Sequence, residues 1–319
     1  MTEFDLDRLR VRLARSGVRE VGVLAGGASS LTFRGVLDER PVVVKVAPPG
    51  HEPVGHRDVL RQARILRALG STDVPVPEVL VEDAGSPPLF VMSLVAGESF
   101  EPLFDGDTGL GGTEFDAVPN RYRSAARCLA TLHGLSPVEL GVGDEPVVDA
   151  TAEVDRWCAT LRTVDQDLVP GWEAVSGELS AGVPAPLGPA VVHGDFRLGN
   201  LLAVRSEVTA VIDWEIWSVG DPRIDLGWFL ANADPATYSR PSSFVDAVPS
   251  RGDLLEHYTL DGADVPDVAW FIALACFKSV ATWSLIVKHN RRRPTPRAEF
   301  EEMAPVLPRL LQRARTLLA

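Results

Sequence analysis

Three polar residues in the middle of the chain have types and spacing that could hold a cation beside a reactive hydroxyl group. The segment VVHGDFRLGN at 191–200 leaves a short apolar run and places Asp195 five residues before Asn200. A second short apolar run, VTAVIDW, ends by placing Asp213 thirteen residues beyond Asn200. A carboxylate and an amide oxygen are hard ligands that suit Mg²⁺ on phosphates, and the remaining carboxylate can orient or deprotonate a hydroxyl group.

The ordinary alternative is that these residues are turn formers and helix caps. That alternative explains one such residue, but three at this spacing behind two apolar runs favour a site. We expect the two runs, PAVVHGD at 189–195 and VTAVIDW at 208–214, to pair as a hairpin. In that arrangement Asn200 and Asp213 would point at one spot.

A Gly-rich segment near the N-terminus is a second candidate for phosphate binding. AGGASS at 25–30 is followed by the strand-like PVVVK, which ends in Lys45. Glycines let backbone N–H groups approach phosphate oxygens, and a lysine on the next strand can reach the same oxygens. An ordinary hairpin turn and a solvated lysine explain the same residues, so this segment alone leaves both readings open.

The elements that must position these groups follow from periodicity. The first 20 residues read as an amphipathic helix, and 21–50 reads as three strands with turns between them. Helical spacing at 57–69 puts four side chains on one face, namely Val59, Gln62, Leu66 and Leu69. Two more strands are predicted at 74–83 and 88–97.

After residue 97 the composition changes to loop-like and then helical patterning, with a helix predicted over 115–135. The sequence therefore predicts an α+β protein with two lobes. The first, residues 1–96, is a small antiparallel sheet with one inserted helix; the second, residues 97–319, is larger and mainly helical. The boundary is expected near Val95–Gly97.

Charge and composition limit the classes of partner. The net charge is −13, and residues 99–319 hold 31 acidic against 19 basic groups, a surface that disfavours nucleic acid. The apolar run at 268–277 is too short to span a bilayer and stops at Lys278. The N-terminus has no signal pattern, and three cysteines without ligand spacing are expected to be small buried residues. We therefore expect a cytoplasmic protein with no membrane or nucleic-acid partner.

The HGDFRLGN segment, followed by IDWEIWSVGDPRIDLGWFL, resembles the aminoglycoside phosphotransferase family. The resemblance extends from the Gly-rich segment at 24–33 to the helix after Asp225, is expected to continue to residue 290, and is most specific in this central block. It implies a protein-kinase-like fold and a small-molecule kinase that uses ATP or GTP with Mg²⁺. The matching protein-kinase elements are the HRD-x4-N loop and the DFG aspartate.

The resemblance also implies a role for each matching residue. Asp195 is the catalytic base or hydroxyl-orienting group, and Asn200 and Asp213 hold Mg²⁺. His193 and Asp225 support the catalytic loop by hydrogen bonding. The residues implied in nucleotide binding are Gly26, Gly27, Ala28, Ser29 and Ser30 over the phosphates, Lys45 on the phosphates, and Met92 and Leu94 in an inter-lobe hinge at 91–95.

One position departs from the family pattern. In kinases a glutamate on the helix after the lysine strand pairs with that lysine, whereas this chain has Gln62 there. A neutral amide can accept a hydrogen bond from Lys45 but offers no charge pairing. A different register would bring Glu52 or Asp58 to the same role.

The acceptor is expected between the catalytic loop and the helices after residue 225. Glu215 and Trp217 are candidates to face it, with a surface ion pair and a core position as their alternatives. The resemblance implies a small-molecule hydroxyl acceptor, an aminoglycoside-like antibiotic or another metabolite alcohol. The alternative function is a nucleotide-binding pseudokinase with a regulatory or scaffold role, which the intact Asp195, Asn200 and Asp213 disfavour.

Overall fold

A small antiparallel sheet precedes a mainly helical region in the computed structural model, which describes residues 5–24, 30–50, 52–105, 115–259 and 264–319. The strands are β1 (Arg19–Val23), β2 (Leu31–Leu37), β3 (Arg40–Val46), β4 (Val79–Asp83), β5 (Leu89–Ser93), β6 (Val147–Val148), β7 (Ala190–Val192), β8 (Leu201–Val204), β9 (Glu207–Val211) and β10 (Ser218–Gly220). The α-helices are α1 (Leu6–Ala14), α2 (Val59–Leu69), α3 (Val118–His133), α4 (Ala150–Leu161), α5 (Trp172–Ala181), α6 (Arg223–Asn232), α7 (Pro235–Tyr238), α8 (Arg251–Thr259), α9 (Val268–Arg291), α10 (Ala298–Glu301) and α11 (Leu307–Leu318).

The first five strands form one antiparallel sheet in the order β1-β2-β3-β5-β4. Alternation along β3 explains its two faces, because successive side chains of a strand point to opposite sides. Val42, Val44 and Val46 pack on the α1 side, whereas Val43 packs toward α2. Lys45 shares the face of Val43 and is therefore directed toward α2. The predicted strands and both predicted helices of this region are present, and the two-lobed α+β fold class is confirmed.

Helix α9 is the centre of the helical region and packs against α6 and α11. Among the described residues it is the one helix long and apolar enough to cross a membrane, and most of that apolar stretch is buried inside the protein. The expectation that the apolar run stops at Lys278 is wrong. The helix passes through Lys278 and has 24 residues in all, from Val268 to Arg291. Lys278 is tolerated inside it because its ammonium donates to the carbonyl oxygen of Gly194. The boundary predicted near Val95–Gly97 stays a prediction.

The hairpin expected between 189–195 and 208–214 is wrong. β7 pairs antiparallel with β10, and β9 pairs with β8. The physical reason is that β8 follows Asn200 at once and supplies β9 with a neighbouring partner only two residues away along the chain. Asn200 still comes close to the end of β9, because the Ile212 N–H donates to the Asn200 carbonyl oxygen at 3.0 Å.

The three cysteines are unpaired and buried, as the sequence predicts. Burial raises the pKa of the Cys128 and Cys276 thiols to about 12 in each case. These thiols are therefore protonated at neutral pH and act as small apolar core residues.

Candidate active site

The loop that carries Asp195 depends on a glycine immediately before it. Gly194 has a φ of +85°, in the left-handed region, and a Cβ at this position would lie 2.6 Å from the Ile216 carbonyl oxygen. No other residue type combines this backbone conformation with that close approach. The HGD order of the sequence is thus required by the turn that presents Asp195.

Asp225 anchors the same turn from α6. Its fully buried carboxylate accepts the His193 N–H at 2.5 Å and the Gly194 N–H at 2.8 Å. His133 on α3 lies 3.5 Å from the carboxylate and also bonds to the Tyr258 hydroxyl at 2.8 Å. Burial raises the pKa of Asp225, but the contact with His133 and the hydrogen bond from the His193 N–H outweigh it and leave the pKa below its ordinary value. Asp225 therefore accepts the loop hydrogen bonds expected of it as an anion.

His193 joins the loop to the segment after β9. Its Nδ1 accepts the Asp195 N–H at 3.1 Å, and its Nε2 lies 2.9 Å from the Ile212 carbonyl oxygen. These two bonds are satisfied together by a neutral ring protonated on Nε2. The ring is buried, so a supporting function fits it better than proton transfer.

The Asp195 carboxylate is held by one donor on each oxygen. The Trp228 indole N–H donates to Oδ1 at 2.8 Å, and the Asn200 amide donates to Oδ2 at 2.7 Å. The same Asn200 nitrogen also donates to the Asp195 carbonyl oxygen at 2.9 Å. Each carboxylate oxygen keeps a second lone pair, so the group remains able to accept a hydroxyl proton.

Lys45 bridges Asp213 and Gln62. Its ammonium donates to Asp213 Oδ1 at 2.8 Å and to Gln62 Oε1 at 3.3 Å. Burial raises the pKa of Asp213, but the Lys45 charge and hydrogen bond outweigh it and leave the pKa below its ordinary value. Asp58 instead caps the start of α2 through the N–H groups of Leu60 and Arg61. The register that places Gln62 beside Lys45 is therefore correct.

A cleft of about 450 Å³ joins these groups to the sheet. It is lined on the sheet side by Leu24, Thr32, Val43, Lys45, Pro77, Met92, Ser93, Leu94 and Val95, and on the other side by Gly97, Ser99, Gly199, Asn200, Leu202, Ile212 and Asp213. Five of the residues predicted from the sequence are among them. A lining of mostly apolar side chains that includes the Lys45 ammonium fits a ligand with a planar apolar part and an anionic part.

The Gly-rich segment and the expected hinge differ in what the structure describes of them. Gly26, Gly27, Ala28 and Ser29 lie outside the described residues, whereas Ser30 is buried and its hydroxyl has no hydrogen-bond partner among the residues that the structure describes. In the expected hinge, the Ser93 N–H donates to Glu78 and the Leu94 N–H donates to Pro41. Those two backbone N–H groups therefore already have partners in the protein. Met92 and Leu94 line the cleft with apolar side chains.

The donor set suits Mg²⁺. Because the Asn200 nitrogen is committed to Asp195, its amide oxygen is the free acceptor, and Asp213 keeps a second carboxylate oxygen. In the described ranges no three His, Cys, Asp or Glu side chains form a metal cluster. Two hard protein ligands, with further positions left to phosphates and water, fit the way Mg²⁺ is usually held.

Trp217 is not an acceptor-facing residue. It is 1% exposed, its indole N–H donates to the Arg61 carbonyl oxygen at 3.1 Å, and the Arg61 guanidinium lies 4.2 Å from its ring centroid. Trp217 thus ties α2 to the segment after Asp213, because an indole can bury its ring and satisfy its N–H together. Glu215 is half-buried and is not among the cleft-lining residues, so its acceptor contact stays a prediction.

A buried glutamate and a partly exposed arginine form an ion pair beside the loop that was not predicted from the sequence. Arg197, two residues after Asp195, forms an ion pair with Glu101, and its Nε lies 3.5 Å from Asp195 Oδ1. Burial raises the pKa of Glu101 to about 7, although Arg197 lowers it. The position of Arg197 between Asp195 and Asn200 was the available signal, but nothing in the sequence pointed to Glu101.

Comparison with known proteins places this geometry in context. A family model described as "Phosphotransferase enzyme family" matches residues 20–249. The chain is 26% identical over 281 residues to acyl-CoA dehydrogenase family member 10 of Mus musculus, covering 83% of this chain but 26% of that protein. It is 30% identical over 185 residues to viomycin phosphotransferase of Streptomyces vinaceus, covering 52% of this chain and 59% of that protein. The chain thus spans about a quarter of the first of these relatives.

Two solved structures share the fold along nearly the whole chain. A protein from Ralstonia eutropha aligns with a TM-score of 0.77 at 20% identity, covering 99% of this chain and 98% of that one. Aminoglycoside phosphotransferase APH(4)-Ia, in a ternary complex with ADP and hygromycin B, aligns with a TM-score of 0.63 at 17% identity, covering 97% of each chain. At these identities the likeness is one of fold.

Proposed function

This chain belongs to the phosphotransferase enzyme family, and from that premise we propose that it transfers the γ-phosphate of ATP or GTP to a hydroxyl group of a small molecule. One observation carries the proposal. Asn200, Asp213 and Lys45 line one cleft, and Asn200 also bonds to the Asp195 carboxylate. A cation for phosphates, two hard metal ligands and a free carboxylate are the parts that phosphoryl transfer requires.

In the proposed reaction Asp195 aligns the acceptor hydroxyl and accepts its proton as the oxygen attacks the γ-phosphorus. The bond from the γ-phosphorus to the bridging oxygen breaks as the new phosphorus–oxygen bond forms, and the nucleoside diphosphate leaves. The Lys45 ammonium binds the nucleotide phosphates. The apolar side chains of the cleft, including Met92 and Leu94, pack on the base. Most of the rate enhancement comes from positioning and charge stabilisation.

Asn200 and Asp213 would hold Mg²⁺, which when bound supplies positive charge to the phosphate oxygens. The direct contact with the Lys45 ammonium holds the pKa of Asp213 below its ordinary value, although burial raises it, so this carboxylate is charged before the nucleotide arrives. Gly26–Ser29 are proposed to cover the phosphates together with Ser30, whose buried hydroxyl has no partner within the described part of the chain.

We propose that the acceptor binds in a second pocket, which has a volume of about 400 Å³. Phe104, Tyr238 and Trp283 line it with aromatic faces, and its charged lining has three carboxylates, Asp105, Glu299 and Glu302, against two guanidinium groups, Arg240 and Arg309. It adjoins the catalytic loop through Glu101, whose carbonyl oxygen accepts the Phe104 N–H at 2.9 Å and whose side chain pairs with Arg197. Aromatic faces pack on sugar rings and carboxylates attract amino groups, which favours a polyhydroxylated amine.

The test is a thermal-shift matrix of ATP, GTP and Mg²⁺ against acceptors, followed by a phosphate-transfer assay on every combination. The acceptors are aminoglycosides, viomycin-like peptides, macrolides, amino alcohols and a hydroxyacyl-coenzyme A, the last because one relative is acyl-CoA dehydrogenase family member 10. A ligand that binds the native state raises the Tm by mass action. We expect a Mg²⁺-dependent nucleotide shift and transfer to one acceptor class. A nucleotide shift without transfer to any acceptor would favour the pseudokinase, and no nucleotide shift would overturn the proposal.

Replacing Gln62 by glutamate is expected to strengthen nucleotide binding. The change turns a neutral acceptor 3.3 Å from the Lys45 ammonium into a charged one, and the difference between such bonds is about 1 kcal/mol, or roughly fivefold in KM for the nucleotide. The variant Glu52→Gln removes a charge from an exposed residue and serves as the control. An unchanged KM in Gln62→Glu would show that this contact does not position Lys45 for the nucleotide.

A further inference from the structure

A lysine lies buried directly beneath the catalytic loop. Lys278 is 6% exposed in the middle of α9, and its ammonium donates to the carbonyl oxygen of Gly194, the residue before Asp195. The same ammonium lies 3.8 Å from the ring centroid of Trp228. The pKa of Lys278 lies below its ordinary value, because burial lowers it more than the charges of Asp195, Glu153 and Asp225 raise it. Lys278 therefore contacts both the loop backbone and the indole next to Asp195.

The Lys278 ammonium is enclosed by two indoles that both donate to carboxylates. Trp228 donates to Asp195, as described, and Trp157 on α4 donates to Glu153 at 2.9 Å. The Trp157 ring centroid lies 5.7 Å from the ammonium. A cation over an indole face is attracted by the ring's negative face, so Lys278 fixes the plane of Trp228.

We propose that Trp228 and Lys278 are positioning residues for Asp195, Trp228 by fixing its carboxylate through the indole N–H and Lys278 by fixing both Trp228 and the Gly194 carbonyl group. This inference rests on the proposed phosphoryl transfer. The Asp195 carboxylate is partly exposed and has two rotatable bonds, so the donors on its oxygens decide its orientation. Asn200 holds Oδ2 from the metal side, and Trp228 holds Oδ1 from the side of α6.

A purely structural explanation of Lys278 is weaker. Burying an ammonium costs more stability than burying an apolar side chain of the same size, and such cations are often replaced without loss of stability. The neighbours of Lys278 on α9, including Phe277 and Val280, are apolar core residues. A cation at this position is explained by what it contacts, namely the peptide that carries Asp195 and the indole bonded to it.

The test uses one variant of each residue with a matched control. Trp228→Phe keeps the aromatic face for the ammonium but removes the indole N–H, and its control is Trp270→Phe, which removes a buried indole bond to the Leu179 carbonyl oxygen. Lys278→Met removes the ammonium. Its control is Lys288→Met, which removes a second lysine of α9 whose ammonium donates to the Thr163 carbonyl oxygen.

Trp228→Phe and Lys278→Met are expected to lower kcat by about tenfold to a hundredfold, the usual cost of misplacing a reacting group by about 1 Å, with nucleotide KM unchanged within about twofold. The controls should keep kcat within about twofold. Because kcat changes and nucleotide KM does not, this result separates positioning from general loss of folding. Unchanged kcat in Trp228→Phe would overturn the inference, and so would equal losses in the control variants.

A second measurement does not depend on turnover. In ¹⁵N NMR spectra the Trp228 indole signal, assigned through Trp228→Phe, should move in both Asp195→Asn and Lys278→Met, while the Trp270 indole signal stays in place. A Trp228 signal that does not move in either variant contradicts the proposed contacts. If the wild type transfers no phosphate to any acceptor while the Trp228 signal responds as expected, the proposed function fails and the positioning of Asp195 stands.

Discussion

Replacing Asp195 by asparagine is expected to lower kcat for phosphate transfer by about 10²–10⁴-fold, the usual contribution of a general base. The amide cannot accept the hydroxyl proton, and its NH₂ group must face one of the two donors that hold the carboxylate, either Trp228 or Asn200. Nucleotide affinity should change by less than about threefold, because Asp195 is not among the residues that line the cleft with Lys45. The measurements are steady-state kinetics and nucleotide titration on the same preparation.

Asp144→Asn is the matched control for this variant. Asp144 is an exposed carboxylate that pairs with Arg64, far from the catalytic loop along the chain. Its replacement should leave both kcat and nucleotide affinity as in the wild type. Turnover of Asp195→Asn near that of the wild type would remove the mechanism, and a collapse of nucleotide affinity would assign Asp195 to ligand binding instead.

Replacing Asp225 by asparagine is expected to destabilise the protein by about 2–4 kcal/mol, the range for a buried charged acceptor that loses partners. One amide oxygen can accept the N–H of His193 or that of Gly194, and the NH₂ group then opposes the other donor. The loop turn at Gly194 loses an anchor, so kcat should fall as well. Urea denaturation at pH 7, read by tryptophan fluorescence, measures the stability change.

The pH dependence of this difference has a definite sign. The pKa of Asp225 is below its ordinary value in the folded protein, so the folded state favours the anion. The stabilisation is therefore present above the unfolded-state pKa, about 3.9, and is lost as the pH falls through the lower folded-state pKa. We expect the stability difference between wild type and Asp225→Asn to be constant from about pH 8 to pH 5 and to shrink below about pH 4.

Asp7→Asn provides the comparison, since Asp7 is an exposed residue of α1 paired with Arg10. Its stability should match that of the wild type across the same pH range. A difference for Asp225→Asn that grows toward low pH would mean that Asp225 is protonated in the folded protein, contrary to the hydrogen bonds seen around it.

Local sequence determined much of the site because its groups are presented by short segments. Asp195 and Asn200 are five residues apart in one loop, so their contact needs no distant element. The strand that ends in Lys45 and the helix face with Gln62 were predicted from periods of two and 3.6 residues. Those periods are properties of single elements, whereas the pairing of Lys45 with Gln62 was implied by the family resemblance.

Long-range pairing was less predictable. The expected hairpin between the two apolar runs was wrong, since the strand after Asn200 pairs with β9 and β10 pairs with β7. Two short apolar runs specify that strands exist but not which partners they take, because each has several candidates with similar alternation. The prediction that Trp217 faces the acceptor was wrong for a related reason, since its indole N–H donates to the carbonyl oxygen of Arg61, 156 residues away.

The sequence by itself determined the chemistry: a carboxylate, an amide and a second carboxylate at family spacing, a lysine strand and a neutral partner for it. Only the tertiary structure decided how the carboxylate is held. Lys278 on α9, Trp228 on α6 and Glu101 are distant from Asp195 in sequence, and their contacts with its loop exist only once the helices pack. A lysine inside an apolar run was visible from the start, but burial, which makes its charge costly and its contacts specific, is a property of the folded chain alone.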